Sequence, residues 1–342
     1  MLFELPGFQF VDAESKEEAI LFLSKYAGKV GLLAGGTDLL ARMKDRITGP
    51  RLRIPEVLVN IKTIPGMDQI TIEEGTGIRI GSTVSLNGLA TSDVISQKFS
   101  ILARTAREVG TTQIRNMGTI GGNLCQRPRC VYFRHPDFVC RKKGGKSCFA
   151  MTGEHRYYHS IMAYGKCAMA HPSDMAPSLV ALGATALLAS PEGEKEIPLK
   201  DFLSPATQFT ETVLKPDEFL SGIRVPLLEG KSCQVFLKHR IRRASDFALS
   251  SVAVVAQMRD GVCHDIRIVL GGVAPFPYIA YQAMERLEGR KLTEKDILQA
   301  ADASVEKARP LPGNLYKVDL TKALIARALK RVRNQAINNN RP

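Results

Sequence analysis

The sequence predicts an α+β protein of more than one domain, and three observations carry that expectation. The chain opens on a strand–helix–strand pattern. A second region mixing strands and helices follows, to about Pro226. Beyond Pro226 the texture changes to antiparallel-type strands and then amphipathic helices. At 342 residues the chain is longer than a single hydrophobic core usually grows. The expected division is 1–56, 57–226 and 227–342.

The opening elements follow from local chemistry. Phe8 to Val11 alternates apolar and polar residues, as a half-buried strand does. Ser15 suits the N-cap of the next helix, with Glu17 and Glu18 in the first turn, where the helix dipole favours acids. Ala19, Leu21, Phe22 and Leu23 supply its apolar side. Gly31 to Ala34 reads as a short buried strand, Gly35 to Asp38 as a tight turn, and Leu39 to Lys44 as a helix.

In the middle region, Val57 to Ile61, Ile78 to Gly81 and Ala184 to Ala189 read as strands. Leu86 to Ile95 and Ile101 to Val109 read as helices. In the last region, Gln234 to Lys238, Ser251 to Met258 and Ile266 to Leu270 read as antiparallel strands. Asp296 to Ala308 and Lys322 to Asn334 read as amphipathic helices, and the tail Asn338 to Pro342 is expected to fray.

Composition narrows the function classes. Hydrophobic residues make up 44% of the chain, enough for a packed core rather than a disordered segment. The longest apolar candidate, Leu179 to Ala189, is interrupted by Gly183 and Thr185, so no membrane span is expected. The N-terminus has neither a basic stretch nor a signal-type apolar run, and a cytoplasmic location is the expectation. The net charge of +13 permits nucleic acid or an acidic protein as partner, and composition alone does not choose. The absence of Trp argues against a base-stacking surface. Of seven cysteines, Cys125, Cys130, Cys140, Cys148 and Cys167 lie in one stretch, whereas Cys233 and Cys263 are isolated. Clustered cysteines in a cytosolic chain point to metal more often than to disulfides.

Four segments could carry chemistry. In Leu32-Leu33-Ala34-Gly35-Gly36-Thr37-Asp38-Leu39 a strand ends in two glycines and a hydroxyl residue before a helix starts. Such a turn can bring free N–H groups to phosphate oxygens, and it can equally be punctuation. Asn116 to Asn123 holds Gly118, Gly121 and Gly122, which should break any regular element and form a loop against a planar ligand or a pyrophosphate. Thr119 and Asn123 add polar groups there. Asp174 could accept from a ligand hydroxyl or N-cap the helix near Met175. Lys238 lies in the basic run Phe236 to Asp246. A cation there would stabilise negative charge on a reduced flavin, or the run is a solvated edge strand.

Those segments, in this order and at these distances, resemble the FAD-binding subunit or domain of the xanthine dehydrogenase and carbon monoxide dehydrogenase family. The pairing of Ala34-Gly-Gly-Thr-Asp38 with Asn116-Met-Gly-Thr-Ile-Gly-Gly-Asn123 is the specific feature, and the likeness spans nearly the whole chain. It implies a two-part FAD-binding domain similar to that of vanillyl-alcohol oxidase, followed by an α/β C-terminal domain. It implies that Leu32, Leu33, Ala34, Gly35, Gly36, Thr37, Asp38 and Leu39 hold the FAD pyrophosphate. Thr119, Gly121, Gly122 and Asn123 would line the flavin side, Asp174 would contact the ribityl or isoalloxazine region, and Lys238 would lie near the flavin.

The departure from that family is an insert at about 126–170, with the spacing Cys130-x9-Cys140-x7-Cys148-x18-Cys167. The wide gaps differ from the paired Cys-x2-Cys knuckles of common zinc modules. The segment around Arg129 to Arg134 resembles the insert in flavin subunits of 4-hydroxybenzoyl-CoA reductase and bacterial aldehyde oxidoreductases. That likeness implies a 4Fe–4S cluster on Cys130, Cys140, Cys148 and Cys167, with Cys125 outside the set. Between Arg127 and Lys166 stand nine Lys or Arg residues against Asp137 and Glu154, a bias that would raise a cluster's potential or form a solvated basic rim. His135, His155, His159 and His171 show no ligand pattern and read as surface or capping residues.

The resemblance implies an electron-transfer subunit of a molybdenum hydroxylase-type enzyme. A large subunit with the molybdenum cofactor would act on an aldehyde, an aromatic heterocycle or an aromatic thioester, and a small subunit with 2Fe–2S clusters would relay electrons. An external electron acceptor or donor would complete the path, with no nucleic acid involved. The alternatives are a free-standing flavin oxidoreductase with a structural zinc insert, and a zinc-stapled nucleic-acid-binding protein that leaves both glycine motifs unexplained.

Overall fold

The computed structural model describes residues 4–203 and 209–339. Three sheets follow one another along the chain, so the α+β expectation holds. The first is a parallel sheet of β1 (Gln9–Asp12), β2 (Val30–Leu33) and β3 (Val57–Asn60), in the order β1-β3-β2. Helix α1 (Lys16–Lys25) connects β1 and β2, and α2 (Leu39–Lys44) follows β2. The Ser15 hydroxyl accepts from Glu18 N at 3.1 Å, as an N-cap should. Ala19 and Leu23 face the core, but Leu21 points to solvent. Because β3 is the central strand, the first unit runs past the expected boundary at residue 56. Its core continues through Ile61, Ile64 and Met67.

The second sheet is fully antiparallel. It holds β4 (Ile70–Glu73), β5 (Gly77–Gly81), β6 (Thr185–Ser190), β7 (Gly193–Pro198) and β8 (Phe219–Pro226), in the order β4-β5-β8-β6-β7. Between β5 and β6 lie α3 (Leu86–Thr91), α4 (Asp93–Lys98), α5 (Ser100–Glu108), α6 (Thr112–Met117), α7 (Ile120–Leu124) and α8 (Met175–Ala181), and α9 (Leu199–Phe202) follows β7. The single helix expected over 86–95 is two. Ser92 leaves helical dihedrals at ψ 125° and its hydroxyl accepts from Ile95 N, which starts a new helix.

The insert leaves the chain between α7 and α8. It contains no strand or α-helix among its residues, only 3-10 turns at Arg141–Lys143 and Phe149–Met151. Its small core borrows from the first unit: Ile47 and Leu52 pack with Cys130, Phe133 and Cys140. A Cβ on Gly49 would lie 2.4 Å from the Lys143 carbonyl oxygen, so glycine permits this close approach of the two backbones.

The third sheet comprises β9 (Ser232–His239), β10 (Ser250–Arg259), β11 (Val262–Gly271) and β12 (Tyr278–Ile279), in the order β12-β11-β10-β9. Helices α10 (Tyr281–Leu287), α11 (Glu294–Ser304) and α12 (Tyr316–Asn339) share one apolar core with it. Helix α12 begins at Tyr316, a turn and a half before the expected Lys322, because Lys317 is satisfied inside. Its ammonium donates to the carbonyls of Tyr157 (3.2 Å), His159 (2.9 Å) and Gly272 (2.7 Å), tying the insert to this unit. The helix reaches Asn339, and the rest of the tail expected to fray, residues 340–342, lies outside the described ones. No helix among the described residues is long and apolar enough to cross a membrane.

Candidate functional site

The two glycine motifs meet backbone to backbone. A Cβ on Gly35 would lie 2.0 Å from the Met117 carbonyl oxygen, so only glycine fits between the β2–α2 turn and the end of α6. Gly36 takes φ +69°, the left-handed conformation that turns the chain into α2. Among the described residues, the N–H groups of Gly35, Gly36, Thr37 and Asp38 donate to no backbone acceptor. They form a cradle that an anion could fill.

Two adjoining cavities flank this junction. One, of about 380 Å³, is lined by Leu32, Ala34, Gly35, Gly36, Thr37 and Leu39 and by the exposed cations Arg51 and Arg53. The other, of about 340 Å³, reaches Asn123, Asp174 and Phe247. Thr37, Asp38, Thr119, Gly122 and Gln126 line both, so the two form one long groove of the size of ligand sites. Leu33 is not on its wall.

The segment expected to be an irregular glycine loop is a short helix, α7. Thr119 caps it, its hydroxyl accepting from Gly122 N at 3.2 Å, and this cap outweighs the glycines' poor helix propensity. Gly121 does not face the groove. A Cβ there would lie 2.8 Å from Ser82 O, so this glycine lets α7 pack on the turn after β5. Gly122 does face it.

Asp174 lies at the far end of the groove and does not cap α8. The hydroxyl of Ser173 accepts from Ala176 N instead. Asp174 Oδ2 accepts from Lys238 Nζ at 2.6 Å, and the Lys238 side chain is fully buried. Lys238 therefore pairs with Asp174 and does not line the groove itself, and it is not a solvated edge lysine although β9 is an edge strand. Burial raises the Asp174 pKa despite the neighbouring ammonium.

The Asp38 carboxylate makes contacts that its place in the motif did not suggest. Oδ1 lies 2.6 Å from Arg134 Nη2 and 2.8 Å from Arg129 Nη2, and Oδ2 accepts from Arg127 N at 3.1 Å. Arg42 Nε stands 3.5 Å away. Burial alone would raise the Asp38 pKa, but Arg134, Arg129 and Arg42 outweigh it and hold the carboxyl below its ordinary value. Glu211 makes a second clamp, with Oε1 2.6 Å from Lys142 Nζ and Oε2 2.9 Å from Arg127 Nε. The basic charge of the insert is thus largely turned inward, and Lys146, Arg156 and Lys166 remain at its surface.

Cys130, Cys140, Cys148 and Cys167 line one small buried cavity together with Phe133 and His159. Cys125 is elsewhere, on the wall of the long groove. Burial pushes the Cys125 thiol up to about 12 and Cys130 up to about 11. Cys148 falls to about 6, chiefly because Cys167 donates to it. Among the described residues, no three His, Cys, Asp or Glu side chains converge tightly enough for a single metal ion. Of the four histidines expected as surface or capping residues, His155, His159 and His171 are buried, and His155 and His171 accept from the backbone N–H groups of Gly313 (2.8 Å) and Ser173 (3.3 Å). His159 Nε2 lies 3.2 Å from Cys130 Sγ, and burial lowers its pKa to about 4.

A larger open cleft of about 910 Å³ runs between α8 and β11, past Gly183, Arg267 and Tyr281. It contains none of the expected site residues, and Arg267 is paired with Asp265 at 2.9 Å. The missed residues are Ile47, Leu52, Glu211 and Lys317, all distant in sequence from the cysteines. The one visible signal was the excess of arginine beside Cys130.

Two family profiles match the chain: "FAD binding domain in molybdopterin dehydrogenase" over residues 6–228 and "CO dehydrogenase flavoprotein C-terminal domain" over residues 236–332. The chain is 33% identical to the aldehyde oxidoreductase FAD-binding subunit PaoB of Escherichia coli (strain K12), covering 97% of this chain and 100% of that one. It is 28% identical to the carbon monoxide dehydrogenase medium chain of Hydrogenophaga pseudoflava, covering 95% and 96%. A solved structure of carbon monoxide dehydrogenase from Hydrogenophaga pseudoflava superposes with a TM-score of 0.78 at 26% identity, over 97% of this chain and 99% of that one. The N–H cradle, the groove that joins the two glycine motifs and these matches agree: the chain belongs to the family of FAD-binding subunits of molybdenum-dependent dehydrogenases, and it is an oxidoreductase subunit.

Proposed function

We propose that this chain is the electron-transfer subunit of a heterotrimeric molybdenum hydroxylase-type enzyme, carrying FAD in its groove and one 4Fe–4S cluster in its insert. Its partners are a large subunit with the molybdenum cofactor and a small subunit with 2Fe–2S clusters. Electrons pass between the complex and an external acceptor or donor. The substrate belongs to the class of aldehydes, aromatic heterocycles and aromatic thioesters, and the likeness to an aldehyde oxidoreductase subunit favours the first.

FAD supplies the conversion between two-electron and one-electron steps. The N–H groups of Gly35 to Asp38 hold its diphosphate, and Arg51 and Arg53 balance the charge. Thr119, Gly122 and Asn123 bound the groove on the flavin side. Lys238 fixes Asp174 at the far end, where the carboxylate can accept from a ligand hydroxyl or ring N–H.

The observation that carries the cluster reading is the separation of the cysteines. Four gather in one buried cavity with no carboxylate in its wall, and Cys125 lies apart. Thiolates are soft ligands that suit iron–sulfur chemistry, and four spread around a cavity suit a polynuclear group better than one ion. Such a cluster would relay single electrons.

The test is elemental analysis of the complex co-expressed with its partners under anaerobic conditions. Close to four irons per chain beyond those of the partners is the expected result. Cys130→Ser, Cys140→Ser, Cys148→Ser and Cys167→Ser should each lose that iron, and Cys125→Ser should keep it. Zinc in place of iron, or iron lost from Cys125→Ser and kept in one of the four, would overturn the assignment.

A further inference from the structure

His159 occupies a position that the cluster reading does not itself use. Its side chain is 2% exposed and shares the wall of the cavity with the four cysteines. Its backbone is pinned from both sides. The carbonyl accepts from Lys317 Nζ at 2.9 Å and Asn314 Nδ2 at 3.4 Å. On the other side His159 forms an antiparallel bridge with Met169, and Ser160 N donates to Ala168 O at 2.9 Å. The partner strand is thus the segment that follows Cys167. With the backbone fixed, the imidazole is held in one place, and Nε2 lies 3.2 Å from Cys130 Sγ.

The placement of the ring proton follows from the surroundings. A neutral imidazole carries one N–H. A cysteine that ligates metal has lost its own proton, so it can only accept, and a contact of 3.2 Å to its sulfur then requires the proton on Nε2.

We propose that His159 donates an N–H···S hydrogen bond from Nε2 to the sulfur of Cys130 and thereby raises the reduction potential of the group that Cys130 ligates. This rests on the cluster reading above. A hydrogen bond to a ligand sulfur stabilises negative charge, and the reduced cluster carries one more negative charge than the oxidised one, so the bond favours reduction. His159 is a positioning and tuning residue, not a ligand.

The experiment uses the intact complex, purified anaerobically, with His159→Phe and His159→Gln. Phe keeps the ring volume and removes the donor. Gln keeps an N–H donor close to the Nε2 position. Iron per chain is measured first, and then the midpoint potential by redox titration followed by electron paramagnetic resonance. The expected result is iron retained in both variants. The midpoint of His159→Phe should fall by an amount matching roughly a tenfold change in the reduction equilibrium, about 59 mV for one electron. His159→Gln should stay near the wild-type value. An unchanged midpoint in His159→Phe with its iron intact would overturn the tuning role and leave the cluster reading standing. Iron lost from both variants would also overturn it, since it would mark His159 as a ligand or a purely structural residue. A wild-type complex without the extra iron would overturn both readings.

Discussion

Arg134 Nη2 lies 2.6 Å from Asp38 Oδ1, so a residue of the cysteine-rich insert is anchored on the very turn that begins the long groove. Asp38 also meets Arg129 and Arg42, and its charge neutralises a knot of cations that would otherwise repel. Asp38→Asn removes that charge and leaves the guanidinium groups half-buried together. The expected cost is about 2–3 kcal/mol, in the range of charge-assisted hydrogen bonds. It should show as a lower thermal midpoint and as faster proteolysis within residues 126–170. Unchanged cleavage of the insert would mean that Asp38 does not anchor it.

Gly122 and Gly121 separate ligand approach from packing. A Cβ on Gly122 meets only the Thr119 hydroxyl, at 3.1 Å, whereas one on Gly121 collides with Ser82, just past β5. Gly122→Asp therefore places a carboxylate in the groove without breaking the fold, and like-charge repulsion with the diphosphate should lower FAD content at least tenfold. Gly121→Ala should instead lower the thermal midpoint, by the 1–3 kcal/mol typical of overpacking. Flavin released by acid precipitation and calorimetry on the same samples distinguish the two. Full flavin content in Gly122→Asp would contradict the groove assignment.

The Lys238–Asp174 pair is buried, so removing one partner should cost more than removing both. Lys238→Met leaves a buried carboxylate without its cation, a loss of about 3–5 kcal/mol for a broken buried pair. The double variant Lys238→Met, Asp174→Asn should recover part of it. Strictly additive losses would show that the 2.6 Å contact carries no coupling.

Much of this was legible locally. Ser15 and the long strands after Pro226 work through neighbours a few residues away, and the two glycine motifs stand out as turn signals in a short window, so local pattern found them. What pattern missed depends on chain segments that meet only after folding. The first sheet recruits β3 from beyond the expected boundary, because a parallel neighbour for β1 and β2 must come from a distant crossover. The α7 segment looks irregular because one of its glycines, Gly121, answers to Ser82, a contact invisible at short range. Asp38 reads as a groove residue from its motif, and only the insert's arginines, 89 to 96 residues away, reveal its second role. The cysteine set could be named from likeness and spacing, but Cys130 and Cys140 pack with Ile47 and Leu52, which no cysteine pattern predicts.

His171 makes the stability of the chain depend on pH in a defined direction. Its Nδ1 accepts from Ser173 N at 3.3 Å, and its Nε2 is buried without a hydrogen-bond partner among the described residues. Burial is the main cause that lowers its pKa from 6.5 to about 4. Between those values the unfolded chain binds a proton that the folded chain refuses, so stability rises with pH. The contribution is fully present above about pH 6.5 and is lost as the pH falls through that value toward 4. A shift of this size corresponds to ~3 kcal/mol, as an order of magnitude. His171→Asn cannot titrate, yet its side-chain oxygen can still accept from Ser173 N. Thermal midpoints followed from about pH 8 down to about pH 5 should fall more steeply in the wild type than in His171→Asn, with the curves diverging below about pH 6.5. Parallel curves over that whole span would show that the buried imidazole is not what makes the fold acid-sensitive.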